Sequence, residues 1–583
     1  MDYTIPDIRP SIVHIPFSRA AVADWIPENK AWSKWAIVYV LTSANDVYIG
    51  ETHNVVKRMR KHISDPAKQH LRDIRMILHP MFNKSVCLDL EAYLIEMAFG
   101  DGRYRVLNDN AGQVGPSYYQ KAFYGGGFAD IFNDLRRDGI FSQSVAAIEN
   151  SYMFKLSPFK ALTENQEDSV AQIVTRLLED LRNGHASSTV IQGNPGTGKT
   201  IVAVYLLKLL ADIGAYTSAN DRDSDSAFYE FFTPENRDLL KSLRLGLVVP
   251  QQSLRASLKK VFGKTPGLSP SLVLSPFDVG QDRQQFNLLV VDETHRLSQR
   301  ACQPSGIQNK QFRDITTDLF NNDDLSKTQL DWIRSRSQHQ IYLLDVEQSV
   351  KPADLPYETL SVLVGEALAA KRHFTLGTQM RIQAGADFVS YIRRVLSPDG
   401  RLASHQPQKF DGYDFRLFDS FAALRDEILA RNREVGHARI LAGYAWPWRS
   451  KKDKNAFDID IDGVQLCWNS TQRDWIASSK SLDEAGCVHV VQGYDLNYAG
   501  VIIGRDLRFD ASRQRLEVDR ASYFDKSGKL NNKMLKIQYG DADLVRFVAQ
   551  IYGVLLTRGI RGTYVYACDE ALREYLRRYI PTA

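Results

Sequence analysis

Along the 583 residues of this chain, short uninterrupted apolar runs alternate with longer stretches of helical period. Residues 288–291 and 341–344 are apolar at every position, and residues 245–249 are broken only by Gly246. A strand reads this way when both its faces are buried, as in a parallel sheet covered by helices. Two of these runs stop at polar residues, Asp292-Glu293 and Asp345 to Gln348, where an open α/β sheet places its ligands. The first hundred residues are patterned differently. Residues 35–41 and 47–50 flank the turn Ser43-Ala44-Asn45-Asp46, which predicts a β-hairpin with Tyr39 and Tyr48 facing a common surface.

Punctuation sets the expected boundaries. Pro6, Pro10, Pro16 and Pro27 disfavour long helices, so residues 1–30 are expected to form an irregular lead-in with one short helix near residues 19–25. Gly125-Gly126-Gly127 predicts a flexible break, and Phe128, Ile131, Phe132 and Leu135 predict a helical connector within residues 121–160. Residues 214–240 lack a period and are rich in Ser, Asp, Asn and Tyr, so they read as a surface insertion. This length excludes a single core and suggests roughly three or four domains. The expected division is a lead-in (1–30), a small α+β domain (31–120), the connector (121–160) and two α/β domains (161–360 and 361–583).

Composition narrows the class without identifying it. Lys and Arg number 73 against 69 Asp and Glu, and a surplus of 4 is too small to prove a polyanionic partner. The five cysteines lie far apart with neither zinc spacing nor an even count, and read as reduced thiols in a cytosolic protein. No leader and no membrane-length apolar run are apparent, so a soluble, cytoplasmic protein is expected.

Candidate chemistry lies at the strand ends. Residues 189–192 lead into Gly193-Asn194-Pro195-Gly196-Thr197-Gly198-Lys199-Thr200, followed by the apolar helical run 201–210. This is a P-loop: Gly193, Gly196 and Gly198 let backbone N–H groups face phosphates at a positive helix end. Lys199 is expected to reach the β- and γ-phosphates of ATP, and Thr200 to ligate magnesium. Asp292 is expected to hold that magnesium through water, Glu293 to orient or deprotonate the attacking water, and Gln348 to sense the γ-phosphate. Between the hairpin and the connector, Lys57, Arg58, Arg60, Lys61 and His62 crowd one helix, which reads either as a phosphate-binding face or as a solvated one.

Two resemblances give these residues roles. Tyr39, Tyr48-Ile49-Gly50, Arg58, His62, Glu91 and Asn108 resemble, in order and spacing, the GIY-YIG nuclease family over about residues 35–115, although the first motif reads Ile37-Val38-Tyr39 without its usual glycine. The resemblance implies a metal-dependent phosphodiesterase. Glu91 is its lone acidic ligand for magnesium, or for manganese in its place. Arg58 clamps the scissile phosphate, Tyr39 acts as general base, and Tyr48, His62 and Asn108 support the site. A phenol is a weak base at neutral pH, so Arg58 and the metal would have to stabilise its phenolate.

Downstream, Leu376-Gly377-Thr378-Gln379-Met380-Arg381, His489 to Asp495 and Leu556-Thr557-Arg558-Gly559-Ile560-Arg561 resemble superfamily-one helicase motifs IV, V and VI. With Asp292-Glu293-Thr294-His295-Arg296-Leu297 and Ala442 to Trp448, they resemble the Schlafen-like DNA/RNA helicase family found in prokaryotes, over residues 160–583. This implies two RecA-like domains closing on ATP, with Gln166 reading adenine after the N-cap Thr163. Arg558, with Arg381 and Arg561 behind it, would cross the cleft to the transferring phosphoryl group. The helix after residue 250, with Arg255, Lys259 and Lys260, reads as motif Ia or as a plain basic helix. Tyr444, Trp446 and Trp448 read as a base-stacking platform or as packing. The function expected is an ATP-dependent motor or sensor on DNA, or on RNA, fused to an endonuclease in anti-phage defence or restriction. The alternative is a nucleic-acid-binding NTPase switch whose hairpin domain binds without cutting.

Overall fold

The structure, a computed structural model, describes residues 10–108, 118–217, 228–300, 306–346, 348, 352–377, 385–398, 406–471, 475–491, 496–526 and 528–583. Arg381 and residues 492–495 of the expected motif V lie outside the described residues. The chain divides into two compact units. One comprises Met1–Leu162, Val204–Ser242 and Ser257–Ser271; the other comprises Thr163–Ala203, Leu243–Ala256 and Leu272–Ala583.

The first unit carries a five-stranded sheet of order β1-β4-β2-β3-β5, built from β1 (Ser11–Pro16), β2 (Ile37–Thr42), β3 (Asp46–Thr52), β4 (Asp73–Leu78) and β5 (Arg105–Val106). β2 and β3 form the expected hairpin, with Tyr39 opposite Gly50. All six residues of β2 are buried, because helices cover both faces of this central strand. Helix α1 (Arg19–Trp25) starts at the N-cap Ser18, and α2 (Val55–Ser64) starts at Asn54, whose side chain accepts from the Lys57 amide. Helix α3 (Lys84–Asp101) starts at Asn83 and ends at Gly102 in the left-handed conformation, φ +68°.

Three expectations here are corrected. Residues 1–30 are not merely a lead-in, because β1 pairs antiparallel with β4 from Ser11 to Pro16 and extends the sheet. A strand between two prolines fits at an edge, where one side of the backbone needs no partner. Gly125-Gly126-Gly127 is not a break: it lies inside α4 (Lys121–Arg137). Burial of Tyr124, Phe128, Ile131, Phe132 and Leu135 along one face outweighs about 1 kcal/mol lost per helical glycine. Of the expected insertion at 214–240, residues 218–227 lie outside the described residues, and the described part is partly packed, with Phe228, Phe231, Phe232 and Leu240 buried.

The second unit holds two sheets. The first is wholly parallel, of order β11-β6-β10-β9-β7-β8, from β6 (Ser187–Gly193), β7 (Leu245–Val248), β8 (Val273–Leu274), β9 (Phe286–Val291), β10 (Ser337–Leu344) and β11 (His373–Leu376). The second has order β12-β20-β17-β13-β16-β15-β14, from β12 (Asp414–Leu417), β13 (Ala438–Ala442), β14 (Ile459–Ile461), β15 (Val464–Trp468), β16 (Glu484–Gly486), β17 (Leu496–Ile503) and β20 (Gly559–Ala567). It is parallel except for the hairpin β14–β15. A separate hairpin, β18 (Leu507–Asp510) with β19 (Arg515–Val518), follows β17. The expected boundary at 360 is too early. Helix Tyr357–Ala369 packs Leu360, Leu363 and Ala367 onto the core of the first sheet, and β11 pairs with β6 there. The first lobe therefore continues to about Leu376, so the opening residues of the expected motif IV end a strand of lobe one.

Candidate functional site

The P-loop connects β6 to helix Lys199–Gly214. Gly196 and Gly198 have φ of +87° and +80°, which only glycine adopts without cost. A Cβ on Gly193 would stand 2.4 Å from the Thr197 hydroxyl. Lys199 is folded onto the loop, donating to the carbonyls of Gly193 (2.7 Å) and Asn194 (3.0 Å). The Thr200 hydroxyl donates to Asp292 Oδ2 at 2.7 Å, which brings the two expected magnesium-site residues together. β10 pairs with both β6 and β9, so the P-loop, Asp292 and Asp345 emerge side by side at the C-terminal ends of three adjacent strands.

The electrostatics separate the two carboxylates. Burial and the neighbouring charge of Glu293 push Asp292 up, while the Thr200 hydroxyl and Lys199 oppose them. Burial also works against ionised Glu293, but His295 and Lys199 outweigh it and hold Glu293 well below the usual carboxylate range. Glu293 therefore stays ionised, as a water-orienting base requires. Its φ of +50° is uncommon for a side-chain-bearing residue and marks a constrained site. Fully buried His295 places Nε2 2.9 Å from Glu293 Oε2, and its Nδ1 accepts from the Asp345 amide at 3.4 Å. His295 stands within the Asp292–Leu297 motif, yet nothing in the sequence marks it for this role.

Two helicase-type assignments are corrected. Gln166 is 1% exposed; its oxygen accepts from the Thr163 amide in a capping box, and its nitrogen donates to the Thr197 carbonyl. It braces the P-loop instead of presenting an amide to adenine. Arg558 is 3% exposed and turns its Nε back to the Val554 carbonyl at 3.1 Å, while Arg561 is exposed on β20 close to Tyr498. An arginine that does bridge the lobes is Arg393, on helix Gly385–Val395, whose Phe388, Ile392 and Val395 pack into the core of the second lobe. It donates to Asn194 Oδ1 of the P-loop at 2.9 Å and to Asp345 Oδ2 at 2.7 Å. Gln348 donates to the same Asp345 oxygen at 3.0 Å. Pro195, Gln348 and Arg393 form one end of an interlobe cavity of about 650 Å³. Because Arg393 supplies a planar cation beside the P-loop, Arg393→Ala is expected to slow turnover at saturating ATP about 10²-fold while retaining ADP binding. Steady-state hydrolysis and fluorescent-ADP titration check this.

The nuclease-like site forms in the first unit around Tyr39. The Tyr39 hydroxyl lies over Gly50, where any Cβ would stand 2.3 Å away, so glycine is the residue that admits the ring. The Tyr39 hydroxyl and His62 Nε2 are hydrogen-bonded at 2.7 Å, and Arg58 Nε donates to the Tyr39 oxygen at 3.1 Å. Tyr48 lies against both rings, with centroids 6.3 Å from Tyr39 and 5.0 Å from His62. Glu91, on α3, is near enough for its charge to act on Tyr39. Among the described residues no group of three or more His, Cys, Asp or Glu side chains could hold a metal. Asn108 clamps β3 from outside the reacting groups: it accepts from the Ile49 amide at 3.1 Å and donates to the Ile49 carbonyl at 2.7 Å.

The expectation was that Arg58 and the metal together would stabilise a phenolate, and Arg58 alone does not outweigh burial. Burial dominates and raises the Tyr39 phenol well above its ordinary value, against the lowering effect of Arg58. Burial, with the charges of Lys68 and Arg58, pushes His62 from 6.5 down to about 3, so His62 is neutral at neutral pH. A histidine lowered in this way adds stability that is full above about 6.5 and is lost as pH falls towards 3. Melting of this domain is therefore expected to shift down between pH 7 and pH 5 in the wild type and less in His62→Gln, as followed by thermal denaturation at each pH.

Of the two readings of the aromatic cluster, the structure favours packing. Tyr444, Trp446 and Trp448 lie against the second-lobe core, and the Tyr444 hydroxyl donates to Cys487 Sγ. Residues 186–569 match the family described as Schlafen group 3, DNA/RNA helicase domain, and residues 35–98 match the GIY-YIG catalytic domain. The chain is 25% identical over 421 residues to the uncharacterized protein YPL245W of Saccharomyces cerevisiae, covering 68% of this chain and 84% of that protein. A DEAD box protein of Methanococcus jannaschii aligns at 11% identity and a TM-score of 0.21, over 72% of this chain and 94% of that one, a superposition too loose to carry detail. The chain belongs to the Schlafen group 3 DNA/RNA helicase family and carries a GIY-YIG catalytic domain ahead of its helicase lobes.

Proposed function

We propose that this protein hydrolyses ATP on nucleic acid as a motor or sensor and cuts phosphodiester bonds as a metal-dependent endonuclease. The observation that carries the reading is the Thr200–Asp292 contact beside Lys199, with Glu293 kept ionised one residue further on. These residues fit a magnesium–triphosphate: Lys199 would leave its carbonyls for the phosphates, Thr200 and Asp292 would hold the ion, and Glu293 would orient water. Arg393 would move from Asn194 and Asp345 onto the transferring group, so that hydrolysis is reported to the second lobe.

In the nuclease domain Glu91 would hold magnesium or manganese, which supplies a polarised phosphate and a more acidic water. Arg58 would grip the scissile phosphate. Tyr39 would act on the attacking water as general base, with the metal and Arg58 stabilising its phenolate and His62 Nε2 fixing the ring at 2.7 Å. DNA is the substrate proposed first, with RNA as the other arm of the test. A place in anti-phage defence or restriction rests on the joining of these two domain types. Incubating labelled DNA and RNA with the protein, magnesium and ATP, beside Lys199→Ala and Glu91→Gln, tests the reading. Uncut nucleic acid together with intact binding would support the non-cleaving switch.

A further inference from the structure

In the second lobe, the stretch between hairpin β18–β19 and helix Asp541–Leu556 has a composition unlike the rest of the surface. Residues 526–540 carry Lys526, Lys529, Lys533 and Lys536 and no Asp or Glu. Lys529 is used internally, donating to the carbonyls of Tyr523 and Arg520. Lys526, Lys533 and Lys536 are exposed and make no ion pair among the described residues. Apolar side chains stand exposed between them: Leu530 at 51%, Met534 at 40% and Ile537 at 38%.

This stretch is a built turn. Asn532 and Ile537 exchange both backbone hydrogen bonds at 3.0 Å, Asn532 Oδ1 accepts from the Leu535 amide, and Asn531 Oδ1 accepts from the Tyr539 amide. Asn532 is fully buried and its Nδ2 has no partner among the described residues. An ordered turn that keeps methionine and isoleucine in water beside exposed lysines has the character of a contact surface. It also forms a wall of the interlobe cavity. Ile537 and Tyr539 line it with Tyr357, which is 56% exposed, and the same cavity reaches Pro195 and Arg393 at the P-loop. The Tyr539 hydroxyl donates to the Pro352 carbonyl of the first lobe at 3.3 Å.

We infer that the turn spanning residues 531–539 grips single-stranded nucleic acid at the mouth of the interlobe cavity. Lys533 and Lys536 take backbone phosphates, and Met534, Ile537 and Tyr357 lie under base faces. The strand must be single, because a base within a duplex has no free face to offer. Opposite charge selects the partner, and contact with the cavity wall gives the strand a route to the nucleotide site, which an anionic membrane would not need. The inference rests on the nucleic-acid reading above.

Fluorescence anisotropy on the full-length protein tests it, with labelled oligo-dT, oligo-rU, a blunt duplex and phosphatidylserine vesicles as probes. Lys533→Glu/Lys536→Glu is expected to lower single-strand affinity about tenfold or more and to flatten its salt dependence by about 0.7 for each phosphate that is no longer neutralised. Met534→Ser/Ile537→Ser is expected to weaken binding by about tenfold with an unchanged salt slope. Melting temperatures near that of the wild type show that these surface variants are folded. Single-strand affinity equal to wild type in both variants overturns the inference, as does a loss confined to duplex or to vesicles. A wild type that binds no oligonucleotide and no duplex would overturn the nucleic-acid reading itself.

Discussion

Lys199→Ala is expected to lower ATP hydrolysis by about 10³-fold or more, because one substitution removes both a phosphate ligand and the charge that helps to hold Glu293 ionised. Lys199 is 8% exposed and rests on the carbonyls of Gly193 and Asn194, which it can leave for phosphate oxygens. Alanine leaves those carbonyls able to meet water, so the lobe is expected to stay folded. Phosphate release in a coupled assay measures the loss, and turnover within tenfold of wild type would remove the P-loop from the mechanism.

Glu91→Gln is expected to reduce magnesium-dependent cleavage by about 10³-fold while leaving nucleic-acid affinity nearly intact. Glutamine keeps the size and loses the charge, so a single-carboxylate metal site loses its only anionic ligand. Arg58, Tyr39 and His62 keep their mutual hydrogen bonds in this variant, since none of those bonds involves Glu91. Cleavage on gels and binding by anisotropy separate the two effects. Equal loss of both would make Glu91 a folding residue instead.

The parts of this molecule that were legible in its sequence are those where backbone geometry demands particular residues. Gly196 and Gly198 must take positive φ, Gly50 must clear the Tyr39 hydroxyl, and Thr163 must cap a helix, so each leaves a mark in a fixed pattern. What was not legible depends on how elements dock. Arg393 sits beside Arg394 on a helix, and two adjacent arginines look like any solvated surface until the fold turns one of them onto Asn194. Arg558 occupies the place in a motif where a cross-cleft arginine is expected, yet its Nε serves the Val554 carbonyl. The three glycines of α4 read as a break because local propensity ignores the buried face on the same helix. Tyr39 posed the opposite difficulty: Arg58 was visible as a neighbour, but the burial that outweighs it was not.

The claim that two phosphate chemistries share this chain is tested most directly by following labelled DNA with magnesium and ATP in wild type and in Glu91→Gln. Discrete cleavage is expected from the wild type, and full-length DNA from the variant. Uncut DNA and RNA with the wild type, under conditions where it binds them and hydrolyses ATP, would contradict it.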